Sequence, residues 1–576
     1  MARSVASLFV TLALTGLTLP VEASVFLGRV PTHAGLSEED LKKENDLLPQ
    51  IESVLGSEHR VFTEKRIDSI KSSLKPIFAA IPKNADGKLG QAAVSYALYR
   101  LFVQRHAWYV KGLEPFKSMA EWNSTSPVAV IDQRVPKYIT GLFHTRLGEH
   151  GFGLHEVAVL AATLEHLVHR ESLVRLSSAY RALKFSKEDV LSTEEGRDLM
   201  DTYMTMYILD TLIENVFNVS EKKVRYLRAN AEALYPGFAA TQEFVREVAD
   251  SVLPERDYLY HSDMASLVEE VGDRYGRWQD YECRALKDML VEMEDQSTGG
   301  AGRVRLADFY RGSMYHGKWQ LVEGIPYLRQ LGALDESSPE NLRVIIANYV
   351  YGPSNCVASS SYYQVCCVNE CDEILSHLEV NIAAPEATPS RIASLISQLP
   401  SSTVKGNRTL STWLLRRLDD VAEHHKGVVP LHGRLFAQWL HYAYPRECAF
   451  PHPMGATQAQ TPDKFQSDTN TSFQAPKEEM LKIIALPVPR QKRSDETGDI
   501  EELLQLESAM WTMEEELVVV RWSPPPSASE SLLASLQPWL RGIACVSALF
   551  SVAFALMRSL DNKLPSAAQG AEKYFV

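Results

Sequence analysis

Six of the seven cysteines of this 576-residue chain are confined to its middle: Cys283, Cys356, Cys366, Cys367, Cys371 and Cys448. Four of them crowd into one run, SNCVASSSYYQVCCVNEC. The spacing holds no Cys-x-x-Cys redox pair and no paired zinc-knuckle arrangement. An even set in an oxidising compartment implies up to three disulfides, and each cross-link limits the folds open to the chain. Spacing alone leaves their connectivity open. A second chemistry makes Cys356 a nucleophile with His432 as its base, since thiol enzymes place the two far apart in sequence. The local signature that surrounds such a cysteine is absent.

Both ends carry apolar segments. Arg3 precedes an apolar stretch from Val5 to Leu19, and Val21-Glu22-Ala23 offers short residues where a signal peptidase cuts. This reads as a secretory signal peptide cleaved after Ala23, too short for the ~20 residues of a bilayer span. Gly542 to Met557 is free of charge and bracketed by Arg541 and Arg558. With Trp539 and Leu540 it reads as a single membrane helix whose flanking arginines reach the interfaces. The expected topology is type I, with a lumenal ectodomain and a cytosolic tail from Ser559 to Val576. Endoplasmic reticulum, plasma membrane and vacuole all fit. Sequons at Asn123, Asn218, Asn407 and Asn470 fall on the lumenal side, where glycosylation occurs. Arg490-Gln491-Lys492-Arg493 matches the Arg-x-Lys-Arg pattern read by furin-like proteases. Cleavage after Arg493 would free the ectodomain from its anchor.

Charge narrows the functional classes. Lys and Arg number 59 against 73 Asp and Glu, a net charge of −14, which argues against a nucleic-acid binder. With 45% hydrophobic residues the chain has enough apolar surface for folded domains. Its patterning is mainly helical. Helices are expected at Ala92–Gly112, Leu154–Val168, Met200–Phe217, Ser390–Leu399, Thr409–His424 and Leu431–Ala443, with Arg343–Val350 as the best strand and no internal repeat. Pro451 to Lys477, rich in Pro, Thr, Gln and Ser, reads as a mobile linker.

The fold class is therefore a mainly α, multi-helix ectodomain with a cysteine-containing C-terminal half and one C-terminal membrane helix. Its divisions are a signal peptide (1–23), a helical N-terminal domain (24–255) and a helix-loop-helix (256–310). A cysteine-containing helical domain (311–452), a linker and juxtamembrane region (453–538), the span (539–558) and the tail (559–576) follow.

Two groups of residues suggest metal chemistry. Leu286, Met289, Leu290 and Met293 form an incoming helix face, and Gly302, Val304, Asp308 and Phe309 follow as a turn glycine, an apolar residue, a closing acid and an aromatic. This segment, Ala285–Tyr310, resembles one degenerate EF-hand. Ser297, Gly299 and Ala301 stand where side-chain oxygen ligands belong, so calcium binding through Asp308 needs help from Glu294 or Asp295. His155, His166 and His169 share one face of a helix. His166 and His169, at i and i+3, could hold a transition metal with His144 or His150 as a third ligand. His424, His425, His432 and His441 form a second group on a helix that Phe436 and Trp439 place in a core.

The segments YALYRLFVQRHAWYVKGLEP, GFGLHEVAVLAATLEHLVH, PSNCVASSSYYQVCCVNEC and VPLHGRLFAQWLHYAYPREC resemble those of a dinoflagellate-type protist family of secretory-pathway proteins with a C-terminal anchor. The resemblance implies one long ectodomain and brings no activity or cofactor. The expected function is a non-enzymatic binding or structural ectodomain with a protein partner, shed by processing after Arg493. The alternatives are a lumenal metal- or thiol-dependent enzyme and a calcium-dependent binding module.

Overall fold

A computed structural model describes residues 60–113, 127–130, 144, 151–209, 213, 219–254, 256–297, 299–316, 320–487 and 510–517. The signal peptide, the 539–558 span, Asn123, Asn218, His150, Arg490, Lys492 and Arg493 lie outside the described residues. Among those described, no helix is long and apolar enough to cross a membrane.

The protein is mainly helical, as its patterning implies, and its helices enclose three apolar cores. The first core is built by α1 (Arg60–Ala80), α2 (Gln91–His106), α3 (Leu154–Leu183), α4 (Thr193–Ile208), α5 (Glu221–Ala229), α6 (Ala231–Leu234), α7 (Phe238–Val252) and the first half of α8 (His261–Glu292). α3 runs past its expected end at Val168. Leu176, Ala179 and Tyr180 continue the buried stripe until Lys184 turns into the left-handed region. α4 starts earlier than expected because Ser192 and Glu195 form a reciprocal capping box.

The helix expected to reach Gly112 stops at His106, where Ala107 takes φ 54°. Trp108–Val110 becomes β1 instead, antiparallel to the strand Tyr363–Val365, with Trp108 opposite Val365. The β-forming run Trp-Tyr-Val gains a partner strand from more than 200 residues away, which local propensity cannot foresee. A short antiparallel pair, β2 (Leu191–Ser192) with β3 (Tyr258–Leu259), closes the same body.

The second core joins the end of α8 to β4 (Arg303–Arg305), α9 (Leu306–His316), α10 (Ile325–Gln330), β5 (Leu334–Asp335), β6 (Arg343–Ile345) and α11 (Ile346–Val350). The strand expected over Arg343–Val350 ends at Ile345 and turns helical. β6 lies between β4 and β5, antiparallel to both, with Val304 facing Val344. β7 (Val357–Ser359) and β8 (Tyr363–Val365) then lead into the third core. There α12 (Glu370–Ile382), α13 (Pro389–Gln398), α14 (Thr412–His424) and α15 (Arg434–Ala443) pack around Trp439, while β9 (Glu386–Ala387) pairs with β10 (Val429–Pro430).

The segment expected as a mobile linker from 453 is folded through residue 487. It forms α16 (Pro462–Thr469) and α17 (Lys477–Ile484), and Phe465 and Met480 enter the second core. Its few apolar residues suffice because Phe465, Ala475 and Met480 are buried in the core, while Gly324 and Ala475 exchange backbone bonds with Phe473 and Val322. Three disulfides link Cys283 to Cys367, Cys356 to Cys366 and Cys371 to Cys448.

Candidate functional site

The densest ionisable cluster surrounds His169 on α3. Its ring lies 2.9 Å from Glu269 and 3.2 Å from Asp273, both on α8. Arg66 on α1 bonds Glu165 and approaches Glu269 at 3.2 Å. His106, stacked on Trp108 with centroids 4.2 Å apart, reaches Glu165 at 3.3 Å. Burial alone would lower the His169 imidazole, but hydrogen bonds to Asp273 and Glu269 outweigh it and raise its pKa to about 9. Burial would likewise raise Glu165; the His106 hydrogen bond and the Arg66 charge hold it at about 2. Glu269 and Asp273 favour the protonated ring, while the Arg66 guanidinium also lies 3.2 Å from its Nδ1. A His166/His169 metal site would need a third ligand, and the candidate His150 lies outside the described residues. Among the described residues no group of three or more His, Cys, Asp or Glu side chains is arranged to hold a metal. What the arrangement does is lock α1, α2, α3 and α8 together through buried charge.

The proposed thiol pair is not formed either. Cys356 is bonded to Cys366 and so carries no thiolate. His432 binds Glu379 at 2.9 Å, and Arg100 reaches the same carboxylate at 3.2 Å and Asp372 at 3.4 Å. Burial would raise Glu379, yet Arg100 and His432 hold it below the usual carboxylate range. Asp372, buried and with Glu379 nearby, is raised despite Arg100. This network fastens α2 of the first core to α12 of the third. His441, buried beside Arg303, is pushed down to about 3 and bonds the Cys448 carbonyl.

The calcium-like loop is also occupied from within. Asp308, its closing acid, is held by Arg305 and Arg311 and borders a shallow cleft between α9, α17 and Leu342. Glu294 receives both arms of Arg446. Gly302 does need its glycine: at φ +71° an added Cβ would lie 2.3 Å from the Pro445 carbonyl oxygen. The loop has a twin. Asp295, Ser297, Arg303, Val304 and Ala307 recur, each forty positions later, as Asp335, Ser337, Arg343, Val344 and Ala347. In both copies the serine amide bonds the aspartate two residues before it. The copies cross: Arg303 and Arg343 both bind Asp335, at 2.8 and 2.9 Å, and Arg343 also approaches Asp295 at 3.9 Å. Their guanidinium groups additionally bond the loop carbonyls of Ala301 and Gly299. Carboxylate and carbonyl oxygens of the kind that bind calcium here bind arginine.

Of the sequons, Asn407 and Asn470 are described, and both are exposed in left-handed backbone. Sequence reasoning missed Arg66, Glu269 and Asp273, which no spacing joins to His169, and Glu165, which the i,i+4 spacing on α3 would have disclosed. It also missed the loop repeat, which the shared Asp-x-Ser and Arg-Val pairs at one interval would have disclosed. Comparison with protein-family models, curated proteins and solved structures returns no match for the chain.

Proposed function

We propose that this chain is a membrane-anchored, glycosylated ectodomain of the secretory pathway that binds a protein partner or builds a surface structure without catalysing a reaction. It would belong with the anchored protist ectodomains its segments resemble. The observation that supports the reading is the internal use of four of the reactive side chains the sequence singled out. His169 is engaged by Glu269 and Asp273, His432 by Glu379, Asp308 by Arg305 and Arg311, and Cys356 by Cys366. Such pairing suits a rigid scaffold more than a reaction centre, where polar groups are left facing a substrate. Exposed Asn407 and Asn470 and three disulfides fit a lumenal fold.

The test is full-length protein made in a secretory host, treated with endoglycosidase, and assayed for bound metal by elemental mass spectrometry with and without calcium. The expected result is a deglycosylation shift and no stoichiometric metal. An unglycosylated chain would reject the lumenal reading, and stoichiometric zinc, iron or copper would reject the non-enzymatic one.

A further inference from the structure

Residues Met510–Leu517 form an extended peptide seated on the start of α15. Gly433 and Leu517 pair as an antiparallel bridge, and the Arg434 amide donates to the Glu516 carbonyl at 2.9 Å. The Arg434 guanidinium donates to the Glu514 carbonyl at 2.6 and 2.9 Å and bonds Thr512 Oγ1. Gln438 clasps the Thr512 backbone with both ends of its amide, at 3.1 and 3.2 Å. Glu515 accepts from the Leu435 amide at the helix N-terminus and meets His425 at 2.5 Å. The Met454 amide donates to Glu516 at 3.0 Å. Trp511 packs beside Trp413 and Tyr442, with Arg417 over its ring.

These receiving side chains are deeply buried: Arg434 is 4% exposed and Gln438 0%. Arg434 spends its guanidinium on this peptide and on the Pro451 carbonyl, and Gln438 its amide on the peptide alone. Removing the peptide would strand them, a large cost for buried polar groups. No cross-link backs the contact. The six cysteines of the body pair among themselves, and Cys545 is the only cysteine after Cys448. The main chain through 488–509, which includes Arg490-Gln491-Lys492-Arg493, is thus the sole covalent tie within the chain between the body and everything after it.

We propose that α15 and its flanks form a binding groove for an acidic extended peptide, and that Met510–Leu517 occupies it as a latch able to hold without the covalent link. A cut after Arg493 would then leave a two-chain complex, with the body still retained on whatever follows residue 517. The recognition elements are a tryptophan anchor, backbone pairing and carboxylates for His425, Met454 and the helix start. The proposal goes beyond the proposed function and does not require that the chain be processed in cells.

The test replaces Arg490–Arg493 in the full chain with the recognition sequence of a site-specific protease. The purified protein is cut, and the C-terminal fragment is followed on an affinity-tagged body. Retention of the fragment is expected. Trp511→Ala with Glu515→Gln should speed its release about tenfold or more, as truncating interface anchors does. These substitutions lie on the peptide, and an unchanged melt of the first two cores before cutting checks that the body is intact. A synthetic peptide of residues 510–517 in excess should displace the cut fragment. Immediate loss of the unsubstituted fragment, or equal retention with and without the substitutions, would overturn the latch.

Discussion

Arg303 and Asp335 meet at 2.8 Å across 32 residues of sequence, joining two loops that are copies of one another. Asp335 is 1% exposed and also carries Arg343. The charges of Arg303 and Arg343 hold its carboxyl low against the burial that would raise it.

Removing that carboxylate leaves two buried guanidinium groups without their shared counter-charge. Asp335→Ala is expected to cost about 3–5 kcal/mol, the usual penalty for breaking a buried ion pair from one side. Denaturant unfolding measures it, and a loss under about 1 kcal/mol would show that the pair behaves as a surface contact.

Because arginines already occupy the loop oxygens, calcium should have nothing to bind. Millimolar calcium is expected to leave the melting temperature unchanged. A rise with calcium that EDTA reverses would mean that Asp308 or Asp295 gives up its arginine for the metal.

The His169 cluster should shape stability on both sides of neutrality. His169 has its usual value of 6.5 raised to about 9 in the fold, so its contribution is complete below 6.5 and fades as pH climbs through about 9. Glu165 has its usual 4.5 depressed to about 2, so its contribution is complete above 4.5 and is lost as pH falls toward about 2. The alkaline loss is expected to be of order 3 kcal/mol, since each pKa unit is worth about 1.4 kcal/mol. Melts between pH 6 and 10, compared with His169→Gln, test it; an identical alkaline slope in the variant would assign the loss elsewhere.

The disulfides should differ in worth. Cys283–Cys367 closes a separation of 84 residues and Cys356–Cys366 one of only 10. On chain entropy, removing the first with paired serines should cost about 4.5 kcal/mol and the second about 2.5 kcal/mol. Equal losses in urea unfolding would reject that ordering.

Glycan attachment at Asn407 and Asn470 is best tested without touching the asparagines, because both sit at φ near 55° and favour that residue. Thr409→Ala and Ser472→Ala should each remove one endoglycosidase-sensitive increment from the secreted-pathway form. An unchanged ladder would show that neither site is used.

Local pattern alone determined the helical class and the approximate places of α3 and of α13 through α15. Those features depend on residues a few positions apart, which the linear order displays. Tertiary structure decided the rest. Trp108 became a strand because Val365 was there to pair with it, and Phe465 and Met480 turned an apparent linker into core. The same holds for chemistry. Histidines, a cysteine and an aspartate looked available because their partners, Asp273, Glu379, Cys366 and Arg311, are either far away in sequence or anonymous beside them. A side chain's charge and reactivity are set by what is packed against it, and packing is a property of the folded chain.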